Sequence, residues 1–152
     1  MKHIFLSALS AISIMFAPAS FAQDAATVEL GQNASGIDLA DFKWTNRVLV
    51  VFADNPLDLN FVRQMNLLTD RPELLTERDV VVLTDTDPDT LSPVRKTLRP
   101  RGFSLVVVDK NGAVMFRKPD PWDLREITRA IDKTPLRQQE IKAAKDAAQA
   151  AR

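Results

Sequence analysis

Arg47-Val48-Leu49-Val50-Val51-Phe52-Ala53-Asp54-Asn55-Pro56-Leu57-Asp58 is the stretch that decides the fold. Its first half is an unbroken, β-branched apolar run, the pattern of a strand covered on both faces, as in sheets packed between helices. Its second half offers a capping side chain at Asn55, proline at the first helical position and an acid in the first turn, so a helix is predicted to start at this corner. Beyond it, Phe61, Val62, Met65 and Leu68 recur at three-to-four spacing until Arg71-Pro72 interrupts them, and Leu74 and Leu75 continue as a short second segment. Asp79 then leads into Val80-Val81-Val82-Leu83, a second fully buried strand. Strand, long helix and strand in succession make a right-handed parallel crossover the expected connection.

Towards the C-terminus, Ser92-Pro93 caps and opens a short helix carrying Val94 and Leu98, which Pro100 and Gly102 stop. Phe103–Val108 is a third strand and Ala113–Arg117 a fourth; Asn111-Gly112 between them is a tight-turn pair, so these two run antiparallel. Asp120-Pro121-Trp122-Asp123 predicts another capped helix start, with Leu124, Ile127, Ala130 and Ile131 on one face. Thr134-Pro135 opens a last helix with few large apolar residues beyond Leu136 and Ile141, expected to be exposed. The order is β-α-β-α-β-β-α plus a C-terminal helix: an α/β chain with a mixed four-stranded sheet, the order of the thioredoxin fold. The domain is placed at 37–134 and the helical tail at 135–152, with no internal repeat and no second core.

Towards the N-terminus, residues 23–36 are small and polar and read as a flexible lead-in. Residues 1–22 combine a basic start at Lys2, the apolar run Ile4–Phe16, Pro18, and small residues at Ser20 and Ala22. This is the pattern of a secretory signal peptide cleaved after Ala22. The apolar run is shorter than the roughly 20 residues a spanning helix needs, so export to a periplasm or beyond is expected rather than membrane anchoring.

Composition narrows the chemistry. The chain has no Cys, no Tyr and a single histidine, His3, which falls in the leader. Thiol exchange, Ser-His-Asp hydrolysis and Cys/His zinc sites therefore have no residues to work with in the mature part. No enzyme activity, cofactor or metal is expected. Basic and acidic side chains balance at 20 each, which argues against nucleic acid or an anionic membrane as partner. Without disulfides, stability must come from the core alone.

Phe42-Lys43-Trp44, Arg47–Phe52, Glu77-Arg78-Asp79, Asp109-Lys110-Asn111-Gly112 and Ile131–Glu140 together resemble a bacterial family of unknown function. Its relatives include the peroxiredoxin-like domain of sushi-repeat and coiled-coil extracellular matrix proteins. The resemblance spans roughly Ile37 to Glu140 and implies a thioredoxin-like fold and an exported setting, with no activity attached. Redox thioredoxins carry reactive cysteines between the first core strand and its helix; here Ala53–Leu59 holds no sulfur. They also place a cis-proline before the third core strand, where this chain has Gly102-Phe103-Ser104 and Pro100 is displaced.

Arg95, Lys96, Arg99 and Arg101 put four cations at the end of a helix and in the loop before the third strand, near the corner at Asn55. A small anionic ligand or an acidic partner protein is the functional reading for these five residues. The plainer account is a solvated helix end whose bases complement the dipole. Asp85, Asp87 and Asp89 alternate like a calcium loop, but Thr90 and Lys96 stand where such a loop needs Gly and Glu, and turn chemistry explains the acids better. Asp58 is explained by helix capping, which leaves the pair it makes with Asp54 little claim to acid-base work. Trp44 and Trp122 are expected to pack in the core or hairpin, and Arg78-Asp79 reads as a binding pair or a charged strand boundary. The leading expectation is an exported, non-catalytic binding module. The alternatives are a divergent peroxiredoxin-like oxidoreductase or other enzyme, and a structural subunit assembling through the C-terminal helix. The partner and the oligomeric state stay open.

Overall fold

The computed structural model describes residues 30–151. The signal peptide read over 1–22 and the first part of the lead-in, 23–29, lie outside the described residues. The elements are β1 (Gln32–Asn33), β2 (Arg47–Phe52), α1 (Leu59–Thr69), α2 (Glu73–Thr76), β3 (Val80–Asp85), α3 (Pro93–Leu98), β4 (Ser104–Val108), β5 (Val114–Lys118), α4 (Leu124–Asp132) and α5 (Pro135–Ala150). The sheet order is β1-β3-β2-β4-β5. Strands β2 and β3 pair in parallel, as the crossover requires, while β4 runs antiparallel to both β2 and β5.

The twofold period of the strands divides the core into two layers. Leu49, Val51, Leu105 and Val107 face α1, α2 and α4, packing with Leu68, Leu75, Leu124, Ile127 and Ile131. Val48, Val50, Phe52, Val106 and Val108 face the other way, against Val94 and Leu98 of α3. Each such side chain contributes about 1.5–3 kcal/mol on burial, so two filled layers hold the domain without disulfides.

Three local expectations are corrected. The sheet has five strands rather than four, because part of the segment read as lead-in is built into the domain: β1 pairs in parallel with β3, and Ala34 is fully buried. The first helix does not start at Asn55-Pro56. Asn55 Oδ1 accepts the Leu57 N–H at 2.9 Å in a tight turn, and Asp58 is the residue that caps α1, accepting from the Asn60 and Phe61 N–H groups. Likewise α4 is capped by Asp123 rather than opened at Pro121. The backbone of Trp122 is held by the buried Gln64 of α1, whose amide accepts the Trp122 N–H at 2.7 Å and donates to the Trp122 carbonyl at 3.1 Å. A tertiary pair thus removes Trp122 from the helix ladder.

Gly31 sits at φ +121°, and a Cβ there would stand 2.8 Å from Thr84 Cγ2 and 3.0 Å from Met65 Cε. Gly31→Ala is therefore expected to cost about 1–3 kcal/mol, visible as a melting temperature several degrees lower. An unchanged melt would mean that this segment is not held against β3.

Candidate functional site

In open α/β sheets, ligand crevices lie beyond the carboxyl ends of the strands, and here β2 and β3 end together at Phe52 and Asp85. The buried polar groups at this corner are committed internally, while Asp54 is exposed and makes no side-chain hydrogen bond or ion pair among the described residues. Asp85 is buried and accepts from Ser92 Oγ at 2.6 Å and from Arg95 Nε and Nη2 at 3.0 and 2.8 Å. Arg95 Nη2 also donates to the carbonyls of Ala53 and Asp85, both at 3.0 Å, and its guanidinium lies 5.4 Å from the centre of the Phe52 ring. Burial disfavours the Asp85 carboxylate, but the hydrogen bonds from Arg95 and Ser92 and the charge of Arg95 outweigh it, so its pKa lies below the ordinary value. Asp87 is occupied by its own turn, accepting from the Asp89 N–H and the Thr90 hydroxyl.

Arg95 is therefore corrected from ligand candidate to buried structural cation. Lys96 is exposed on α3, and Asn55 is exposed in its turn. Arg99 and Arg101 do come together, with a third cation that the sequence did not single out. Along with Leu98, Phe103, Ser104, Arg117 and Pro119 they line a groove of about 410 Å³ between the end of α3 and the β4–β5 edge. Arg117 stands opposite Val106 and Ser104 opposite Phe52, which puts both on the α3 side of the sheet. Corner and groove adjoin, since Asp54 Oδ2 lies 3.9 Å from where a Cβ on Gly102 would stand. No lining residue is acidic, and among the described residues Arg99, Arg101 and Arg117 make no ion pair.

A second groove, of about 860 Å³, runs between α1 and α4. Its charges are mixed, Arg63, Arg71 and Arg125 against Asp70, Asp123 and Glu126, so it has no electrostatic preference of one sign. Leu59 at its mouth and nearby Leu57 are 84% and 82% exposed.

The opposite pole of the sheet carries the densest charge. Arg47 is fully buried at the start of β2, with Nε 2.9 Å from Asp109 Oδ1 and Nη1 and Nη2 each 3.1 Å from Glu140 of α5. Lys110 reaches Glu140 at 3.0 Å and Asp79 at 2.7 Å, and Arg137 reaches Glu140 at 3.1 Å. Arg78 donates to Asp132 at 2.9 and 2.7 Å, so Arg78-Asp79 is a charged boundary with both members paired. Four of the five motifs behind the family resemblance thus converge on one set of ion pairs that fastens α5, the exception being Phe42-Lys43-Trp44. Their spacing along the chain carried no sign of this.

Trp122 packs edge-on against Phe116, with centroids 5.1 Å apart, and Lys118 Nζ lies 4.1 Å from its ring centre. Trp44 is corrected: it is 67% exposed, at φ 67°, held by its N–H donating to the Lys110 carbonyl at 2.7 Å.

The chain belongs to the family described as domain of unknown function DUF4174, whose profile matches residues 38–140. No curated protein matches it in sequence. Among solved structures it is similar to the reduced 2-Cys peroxiredoxin of Plasmodium vivax, at TM-score 0.53 and 17% identity over 68% of this chain and 84% of that one. It is also similar to chloroplastic thioredoxin z, at TM-score 0.53 and 18% identity over 68% of this chain and 92% of that one. At such identities the likeness is one of fold: the domain is thioredoxin-like.

Proposed function

We propose that this chain is an exported, thiol-free thioredoxin-like module that recognises an anionic partner at the groove between α3 and the β4–β5 edge and performs no chemistry of its own. The observation that carries the reading is the convergence of Arg99, Arg101 and Arg117 on a groove without a single acidic lining residue. At the adjoining corner, by contrast, Asp85, Arg95 and Asp58 are tied up in internal pairs and caps, and Asp54 stands exposed beside Gly102. Supporting it, the chain has no cysteine, and its one histidine is His3. Export to a periplasm rests on the leader pattern of residues 1–22. Bacterial origin and kinship with the peroxiredoxin-like domain of sushi-repeat matrix proteins rest on the quoted motifs.

The purified chain is expected to reduce neither peroxide nor insulin above a heat-inactivated control, and to retain an acidic peptide on a column at moderate salt. The double charge reversal Arg99→Glu with Arg101→Glu should abolish retention while the circular dichroism spectrum is unchanged. Turnover above the control, or retention that survives the reversal, overturns the reading.

A further inference from the structure

We infer that the three-arginine groove is a phosphoryl site, taking a phosphate monoester whose carbon part lies against Leu98, Phe103 and Pro119. This deepens the anion-recognition reading and rests on it. The independent observation is Ser104. It is the one polar residue of β4, only 5% exposed as a residue, and it lines the groove; its hydroxyl makes no hydrogen bond to the protein among the described residues and is not sealed in the core, so what remains open of it faces the groove. A hydroxyl left without a protein partner on the wall of a groove is free to exchange solvent for a ligand oxygen, and here it stands beside three unpaired guanidiniums.

The donors come from two directions. Ser104 and Arg117 rise from the sheet on its α3 side. Arg99 and Arg101 come from the turn that ends α3, where Arg99 and Gly102 both adopt the left-handed conformation, at φ 49° and 57°. Three guanidiniums and a hydroxyl exceed what a carboxylate can use, with its single charge and two oxygens. A phosphate monoester carries about −1.5 to −2 charges at neutral pH and three terminal oxygens, and planar guanidiniums grip such oxygens in pairs. The volume, about 410 Å³, falls in the range of roughly 300–1,000 Å³ typical of small-molecule sites, and the apolar wall gives a carbon moiety somewhere to lie.

The test is calorimetric titration of the purified full chain with phenyl phosphate, inorganic phosphate and benzoate at one ionic strength. Phenyl phosphate should bind most tightly, inorganic phosphate next, and benzoate at least about tenfold more weakly than phenyl phosphate. Ser104→Ala and Arg117→Gln should each weaken phenyl phosphate roughly tenfold or more, the scale of a hydrogen bond to a charged group. Arg117→Gln alters an exposed edge-strand residue, so it keeps the test open should Ser104→Ala fail to fold. Benzoate binding as tightly as phenyl phosphate overturns the phosphoryl assignment and leaves anion recognition standing. No binding of any of the three overturns both, and binding indifferent to Arg117→Gln removes the ligand from this groove.

Discussion

Replacing Arg95 by methionine is expected to destabilise the domain by about 3–5 kcal/mol, the scale of breaking a buried ion pair by deleting one partner. The substitution leaves the buried Asp85 carboxylate with only the neutral Ser92 hydroxyl and Asp87 N–H beside it, and takes the Arg95 donor from the carbonyls of Ala53 and Asp85, the second of which keeps the Ala53 N–H. Against a total stability of roughly 5–15 kcal/mol, that brings the protein near the edge of folding, and urea unfolding will register it as a large drop in midpoint. Adding Asp85→Asn should restore part of the loss, because the uncompensated charge is gone. The outcome separates the two roles open to this residue. A ligand-binding arginine would lose affinity and keep the midpoint, whereas the geometry predicts the reverse.

Replacing Glu140 by glutamine is expected to cost about 2–4 kcal/mol, since the fully buried Arg47 then keeps Asp109 as its only carboxylate. The same carboxylate sets an acid sensitivity. Burial alone would raise the Glu140 pKa. Hydrogen bonds from Arg47, Lys110 and Arg137, and the charge of Arg47, instead bring it from the ordinary 4.5 down to about 2. A carboxyl depressed on folding stabilises fully above its ordinary value and loses that contribution as pH falls from about 4.5 towards 2. The amount is on the order of 3 kcal/mol. Unfolding free energies measured at pH 7 and pH 3 should therefore differ markedly in the wild type and less in Glu140→Gln, the remaining slope coming in part from Asp85. Parallel pH profiles for the two proteins would show that Glu140 does not hold α5 as described. By the same geometry, cutting the chain at Lys133 removes Glu140 and Arg137 and exposes the domain to this loss, while a cut beyond Ile141 spares it.

The strands and the crossover were legible because their signal is local: Arg47–Phe52 and Val80–Leu83 are apolar runs that few other structures accommodate. The helix starts were misplaced where two capping residues compete. Asn55 and Asp58 both cap, and the one with two backbone N–H groups in reach starts the helix. At Trp122 the deciding bonds come from Gln64, 58 residues away, which no local pattern announces. Strand β1 is two polar residues whose only sheet neighbour among the described residues is β3, so it has no periodicity to read. Arg95 looked like a solvated cation because its partner Asp85 lies across a loop, ten residues back. Arg117 and Ser104 were invisible as site residues until the β2–β4–β5 register placed them on one face with Arg99 and Arg101.

The central claim is that a thioredoxin-like scaffold without cysteine works by recognition at its three-arginine groove. Titrating the ¹⁵N-labelled chain with phenyl phosphate, and following backbone amides and arginine Nε–H groups by NMR, tests it most directly. Saturable shifts should centre on Arg99, Arg101, Ser104 and Arg117. Shifts confined to the groove between α1 and α4, or none at all, would contradict it.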